Sequence, residues 1–429
     1  MIIENLYNNL KGYYHAKYKE VNILSKEVDL SLRMGSVTFK NPFIVGSGPT
    51  VKNVEQIKEA RDNGWAGASL KLAIEPFPYL NFPPRYRWFR KERFHIFTAE
   101  KRLTAPEALK LLEQGRAATN DDFILMPNIT YDGEDYVGWG RLAKQFEDAG
   151  AHAIELNLCC PNMSFNLSST GESTGKKTGA SLGNDLDELP KVIEAVVSSV
   201  KVPVVAKFSP EGNQLAQSSY VALKAGATAV GHAGNRLGIP DIDIRHPLRS
   251  VYRLQDQITL GCMSGPWLRP LALRDTYQMR RALGKEAFII GSGGVSDLAS
   301  AVQQIMVGSD AVWISTETML RGFDFLPKLL EELESYMKEM GYARILDFRD
   351  LLHANIKSAQ DLTIHDGYAV VDTFRCKRCG ICWKIGHCEA ISHSPEGITE
   401  IDPTLCLACS TCIDLCPYGA ISMHERRRE

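Results

Sequence analysis

Between about residues 40 and 340 the chain repeats one pattern: a short apolar, β-rich run, a glycine or polar break, then apolar residues at helical spacing. The pattern predicts strands at Phe43–Gly46, Ala68–Leu72, Phe123–Asn128, Ala153–Leu158, Val202–Phe208, Ala229–His232, Phe288–Gly291 and Ala311–Ser315, joined by helices in parallel βαβ units. The helix after the fourth strand is the clearest. Asp185 is placed to cap it, and Leu189, Ile193, Val196, Val197 and Val200 recur at helical spacing. Helices starting near Asp297 and Asp324 follow the same rule, with Ala301, Ile305, Leu326, Leu330, Leu333 and Met337 on their buried faces. Eight units in about 280 residues is the usual size of a (β/α)8 barrel, although an open doubly wound sheet fits the same alternation.

Two long connections interrupt the rhythm, both after the C-terminal ends of strands, where such barrels keep their chemistry. Residues 76–103 mix aromatics with Arg85, Arg87, Arg90, Lys91 and Arg93, and residues 163–184 are rich in Ser, Thr and Gly and read as a lid. No Gly-x-Gly-x-x-Gly follows an early strand; the nearest glycine cluster, Gly291-Ser-Gly-Gly294, comes after the seventh. A Rossmann-type dinucleotide site is therefore not expected. Shifts in composition divide the chain into an N-terminal extension (1–36), the barrel (37–346), a linker (347–367) and a cysteine-rich domain (368–429).

The last domain carries Cys376-x2-Cys379-x2-Cys382-x5-Cys388 and Cys406-x2-Cys409-x2-Cys412-x3-Cys416-Pro417. The second block has the spacing of a bacterial two-cluster ferredoxin, in which three cysteines of a run hold one cluster and the fourth crosses to the other. That rule assigns Cys376, Cys379, Cys382 and Cys416 to one 4Fe-4S cluster. Cys406, Cys409, Cys412 and Cys388 then hold the second, and the domain reads as an electron carrier. The first block departs from the pattern, with five residues before Cys388 and Glu389 where proline is usual, which predicts a longer loop. Paired Cys-x2-Cys elements also suit structural zinc, which stands as the alternative.

Of the 429 residues 44% are apolar, so the part before the cysteine-rich domain can build one large core or two medium ones. A formal charge of −2 gives no general field for nucleic acid or anionic lipid. No apolar run reaches the roughly 18 residues of a spanning helix, and the stretch MIIENLYNNLKGYYHAKYKE lacks the apolar region of a signal peptide. Of 11 cysteines only Cys159, Cys160 and Cys262 lie outside the cluster spacing, which fits a reducing compartment. A soluble, cytoplasmic protein is expected.

The segment Glu155-Leu-Asn-Leu-Cys-Cys-Pro-Asn162 ends the fourth strand. It resembles the corresponding motif of soluble cysteine-type dihydroorotate dehydrogenases and of the flavin domain of dihydropyrimidine dehydrogenases. Further stations of that family follow in order: Gly46-Ser47-Gly48, Lys71, Lys207 in AKFSP, Ser264-Gly265-Pro266 with Pro270, and Gly291-Ser-Gly-Gly294. The resemblance covers about residues 37–350, and the ferredoxin-like tail extends it to bacterial iron-sulfur subunits of the same family. It implies an α/β fold in which an FMN-binding (β/α)8 barrel precedes a small α+β two-cluster ferredoxin-like domain. It also implies FMN contacts from Gly46, Ser47, Gly48, Lys71, Asn128, Asn157, Lys207, Ser264, Gly265, Gly293, Gly294, Ser315 and Thr316. The glycines and the start of the segment after strand eight suit a phosphate, and the two lysines suit an anionic reduced ring. Hydride passes between flavin and a substrate carbon, and Cys160, with Lys71 beside it, is the implied catalytic acid. Asn157 and Asn162 would bind the amide-like edge of a cyclic substrate, joined by Asn235 in GHAGNR, one position out of register with the family. Cys159 replaces the family's serine, and Cys262 reads as packing.

The basic run RYRWFRKERFHIF stands where the family places a substrate-binding asparagine, so Arg87 and His95 are candidate replacements, and a solvated face is the bland reading. Reduction of uracil or thymine leads the expectations, with dihydroorotate oxidation as a rival. With no NAD or FAD site in view, an FAD-containing NAD(P)H oxidoreductase subunit or a ferredoxin must feed the clusters, in a homo- or hetero-oligomer. An RNA-modifying flavoenzyme of the tRNA-dihydrouridine type is disfavoured by the charge balance and the tail. A non-catalytic relay subunit is disfavoured by the retained Lys71, Asn157, Cys160 and Lys207.

Overall fold

All eight strands form, and in the computed structural model, which describes residues 27–75, 83–98, 101–160, 178–212, 214–258 and 260–426, they close on themselves. They are β1 (Phe43–Val45), β2 (Gly67–Ser69 and Ala73–Ile74), β3 (Ile124–Met126 and Asn128–Thr130), β4 (Ile154–Leu158), β5 (Val204–Phe208), β6 (Ala229–His232), β7 (Phe288–Ser292) and β8 (Ala311–Ile314). Each pairs in parallel with the next, and β8 returns to β1 through Val312 opposite Phe43. Two strands are interrupted. Pro127 offers no N–H and splits β3, though its carbonyl still accepts from Glu155 N at 2.9 Å. In β2 the chain steps aside after Ser69, and Lys71 N donates to Val51 O at 3.0 Å. A short strand, Leu103–Thr104, adds to the outer part of β2.

Helices α1 (Val54–Asp62), α2 (Ala105–Ala118), α3 (Tyr136–Asp148), α4 (Leu189–Ser199), α5 (Leu215–Lys224), α6 (Arg269–Leu283), α7 (Leu298–Met306) and α8 (Leu326–Met340) alternate with the strands. Their starts follow local chemistry. Asp185 Oδ1 accepts from the N–H groups of Asp187 and Glu188 just ahead of α4, and Asp297 caps α7 through Ser300 N. The α4 face of Leu189, Val192, Ile193 and Val196 is buried, as is the α8 stripe Leu326, Leu329, Leu333 and Met337. The barrel strands are covered on both sides, which is why they read as continuous apolar runs.

A hairpin of Leu32–Met34 with Val37–Phe39 packs at the other end of the barrel. Its Gly35, at φ +59°, lies against Pro203 and Thr228, the residues that lead into β5 and β6, and leaves no room for a larger side chain. Leu30, Leu32 and Met34 join the barrel core, so the part of the N-terminal extension from Glu27 onward belongs to this unit. The chain divides into two compact units between Ala354 and Asn355. The start of the expected linker is built into the first of them: Phe348 is fully buried against Tyr342, with ring centroids 5.1 Å apart.

Over the C-terminal mouth of the barrel lies a second sheet of four antiparallel strands, in the order Arg236–Gly238, Gly261–Ser264, Phe94–Phe97, Tyr86–Phe89. The basic run is therefore a hairpin. Its charges, Arg87, Arg90, Lys91 and Arg93, are exposed, while Phe89 stacks on Phe94 at 4.5 Å.

The second unit holds two small antiparallel pairs, Gly367–Val371 with Ile421–Glu425 and Ile391–His393 with Thr399–Ile401, and a short helix, Thr411–Leu415. Cys382, Cys412, Ala369 and Ile421 form its small core. No helix among the described residues is long and apolar enough to cross a membrane.

Candidate active site

The register of the strands assembles the site. Asn128 stands opposite Glu155, and Asn157 opposite Lys207, so four polar side chains enter the upper barrel side by side. Charge inside an apolar barrel must be paired. Lys207 Nζ lies 3.1 Å from Glu155 Oε1, both side chains are buried, and Ser69 and Asn128 also donate to the Glu155 carboxylate. Burial is the largest influence on the Lys207 ammonium and works against it, but the charge and hydrogen bond of Glu155, together with Cys159 and Cys160, more than offset it and raise its pKa above the usual lysine range. The ammonium also sits 4.3 Å from the centre of the Trp313 ring.

Above this pair, Asn157 Nδ2 donates to Asn128 Oδ1 at 2.9 Å, and Asn157 Oδ1 accepts from the backbone N–H of Cys160 at 3.1 Å and of Cys159 at 3.4 Å. Asn157 thus ties the barrel floor to the turn that carries both thiols. Cys159 is buried and Cys160 only partly so. A hydrogen bond from Cys159, reinforced by the charges of Arg102 and Lys71, pulls the Cys160 thiol down to about 6, while the same partnership and burial push Cys159 up.

One cleft at the barrel mouth contains these groups. Gly46, Ser47, Gly48, Lys71, Asn157, Cys160, Lys207 and Asn235 line it, as do Ser264, Gly265, Gly293, Gly294, Ser315 and Thr316. Asn128 is fully buried beneath it and reaches it through Asn157. Asn162 lies outside the described residues, as does residue range 163–177 of the expected lid. Cys159 and Cys262 also line the cleft, although both are buried.

The two candidates from the basic run do not reach it. Arg87 is exposed and its guanidinium lies 5.7 Å from the Phe89 ring. His95 is buried under Tyr86, at 5.3 Å, with Nδ1 3.5 Å from Ser264 Oγ. His232 points away as well: its Nε2 meets Thr276 Oγ1 at 2.9 Å, and burial lowers its pKa to about 4, so it is a neutral packing residue. Two residues of the site escaped the sequence reading. Glu155 carried a signal, an acid in the apolar strand IELNL facing a lysine in VVAKF. Arg102, buried and lining the cleft near Cys160, had only its place at the end of the basic loop.

The cleft suits a flavin mononucleotide. A side chain at Gly48 would meet Ser315 Oγ at 2.5 Å, and Gly293 and Gly294, at φ +102° and +75°, line the same cleft as Thr316, so bare backbone is offered where a phosphate would lie. Lys71, Asn157, Lys207 and the Gly46–Gly48 turn would hold the ring.

In the second unit, Cys388, Cys406, Cys409 and Cys412 surround one cavity with Ile385, His387, Ile391 and Ile401. The fourth cysteine of the first block has joined the triplet of the second. Among the described residues no three His, Cys, Asp or Glu side chains converge as ligands of a single ion would. A space bounded by four sulfurs fits a cubane.

The chain matches the family "Dihydroorotate dehydrogenase" over residues 107–337 and "4Fe-4S binding domain" over residues 399–422. It is 26% identical over 412 residues to the NAD-dependent dihydropyrimidine dehydrogenase subunit PreA of Escherichia coli, covering 92% of this chain and 96% of that one. The chloroplastic dihydropyrimidine dehydrogenase (NADP(+)) of Arabidopsis thaliana is 26% identical over 346 residues, 75% of this chain and 76% of its own. The catalytic subunit of dihydroorotate dehydrogenase B (NAD(+)) of Thermoplasma volcanium is 28% identical over 326 residues, 74% of this chain and 96% of its own.

Proposed function

Because the chain belongs to the dihydroorotate dehydrogenase family, we propose that it is an FMN-dependent oxidoreductase acting on the CH–CH bond of a pyrimidine ring. The preferred direction is reduction of uracil or thymine to the 5,6-dihydropyrimidine, with electrons relayed through two 4Fe-4S clusters. The observation that carries this reading is the single cleft that unites Cys160, Asn157, Lys71 and Lys207 with a glycine-lined floor. When bound, the flavin supplies hydride chemistry at one ring carbon. Cys160 gives the neighbouring carbon its proton in reduction and takes it in oxidation, at the thiol the Asn157 carbonyl positions through the backbone. Asn157 and Asn235, with Asn162, offer the donors and acceptors that an imide edge needs, and a site built for those bonds rejects rings that lack them. Lys71 and Lys207 supply the positive charge. Electrons come from an FAD-containing NAD(P)H oxidoreductase partner or a ferredoxin, and the protein works in the cytoplasm without nucleic acid. Arg102 favours a second reading, a ring bearing a carboxylate as in orotate, because its charge lies on the Cys160 side of the cleft.

Anaerobically purified protein should contain one FMN and about eight irons per chain. Zinc instead of iron would remove the clusters from the scheme. Stopped-flow reoxidation of the reduced protein by uracil, thymine, orotate and a carbocyclic enone tests the substrate class: uracil or thymine should react, faster reaction of orotate supports the second reading, and reaction of the enone alone refutes both. With the Cys160 thiol near 6, kcat/KM for ring reduction should fall as pH rises above about 6, since the donor is then thiolate. For oxidation of the dihydro ring it should rise up to the same pH and then level. Cys409→Ala should abolish the EPR signal of one cluster and cut turnover with reduced ferredoxin by at least roughly tenfold. Chemically reduced flavin in that variant should still be reoxidised by substrate at the unsubstituted rate; unchanged ferredoxin-driven turnover would contradict the relay.

A further inference from the structure

The two halves of the cysteine-rich unit repeat with an offset of 30 residues, from 376 to 406, 379 to 409 and 382 to 412. The backbone keeps the repeat. Asp372 N donates to Ala420 O and Asp402 N to Ala390 O, both at 2.8 Å, and Cys376 N and Cys406 N each donate to the aspartate carbonyl four residues earlier. The same offset superposes Ala369 on Thr399, both buried, and there the halves differ. Ala369 offers its cluster only a backbone N–H, to Cys406 Sγ at 3.4 Å. Thr399 hydrogen-bonds Cys376 through its backbone in the matching way, and adds a hydroxyl that also reaches Cys376 and whose oxygen lies 3.3 Å from Cys382 Sγ.

The direction of that bond follows from its third member. Trp383 Nε1–H donates to Thr399 Oγ1 at 2.8 Å, and the indole is held by stacking on His393 at 4.2 Å. With its oxygen accepting from the indole, and with Cys376 and Cys382 thiolates when they hold iron, the hydroxyl proton points at a ligand sulfur of that cluster. Trp383 is matched in the other half by Ile413, which has no such donor. The second half has its own contacts, from His387 to Cys409 at 3.4 Å and between Cys409 and Thr411 at 3.6 Å, but Cys409 is exposed and water competes there. A cluster that takes up one electron places more negative charge on its sulfurs, and a buried donor stabilises that state more than the oxidised one.

We propose that Thr399, oriented by Trp383, raises the reduction potential of the cluster held by Cys376, Cys379, Cys382 and Cys416 above that of its partner cluster, and so fixes where the electron rests between transfers. This rests on the two-cluster reading above. Each cluster accepts one electron from the low-potential donor and releases one, so the asymmetry changes the order of occupation and not the stoichiometry. The test is a mediated dithionite titration of the full-length protein followed by EPR, with iron counted in every sample. Thr399→Val should shift the reduction equilibrium of one cluster toward the oxidised form by about tenfold, or 59 mV for a one-electron couple, and leave the other unmoved. Thr399→Ser should restore it, and Trp383→Phe, which keeps the hydroxyl but frees its direction, should fall between. Two unmoved couples in Thr399→Val with eight irons present would overturn the proposal, as would a serine variant as low as the valine. If the valine variant loses iron, the serine and Trp383→Phe comparison decides. Four irons and one signal in the unsubstituted protein would instead refute the two-cluster reading itself.

Discussion

Cys160→Ala should slow turnover by roughly 10²–10⁴-fold, the range for removal of a positioned proton donor, while flavin content stays unchanged. Asn157 grips the Cys159–Cys160 turn through backbone N–H groups, so losing one thiol does not release the turn. Cys159→Ala should behave differently. Its hydrogen bond is the largest influence lowering the Cys160 thiol, so its removal should move the pH inflection upward and leave the plateau rate within about tenfold of the original. Steady-state rates across pH 5–9 for both variants make the comparison. Equal losses with no shift in the inflection would mean that the proton comes from elsewhere.

Glu155→Ala is the variant expected to damage the fold most. It would strand the buried Lys207 ammonium and take away the acceptor of both Ser69 and Asn128. Breaking one side of a buried ion pair costs about 3–5 kcal/mol, whereas replacing both partners with apolar residues of similar volume costs far less. Glu155→Leu combined with Lys207→Met should therefore recover much of the stability lost by Glu155→Ala, yet fail to hold flavin. Guanidinium unfolding of the three proteins, with flavin counted before unfolding, gives the comparison. A double variant as unstable as the single one would show that the pair is not what holds the upper barrel.

Much of the architecture was legible because each barrel strand is buried on both faces and each helix on one, so period and punctuation alone locate them. The cleft residues were legible for a different reason: most sit immediately after a strand, where strand position determines what the side chain can reach. What escaped depends on partners far away in sequence. Glu155 gains its meaning from Lys207 and Asn128, which only the parallel register brings beside it. The basic run looked like a loop because its alternation, Tyr86 and Trp88, then Phe94 and Ile96, sits within a β/α rhythm that leaves no place for an antiparallel pair. Its partner strand lies beyond β6. The hydroxyl of Thr399 was equally silent, an ordinary strand threonine until the repeat sets it against an alanine.

The roof over the mouth is also a long-range contact. His95 and Ser264, opposite one another in that sheet, are 169 residues apart in the chain. Closing so long a loop is entropically costly until the intervening β/α units have drawn its ends together. The wall's own closure, Val312 opposite Phe43, spans 269 residues and carries the same cost, so wall and roof both depend on the intervening β/α units. Pairing of Phe94–Phe97 with Gly261–Ser264 is thus expected to be a late, long-range contact of folding, and it completes the mouth of the cleft.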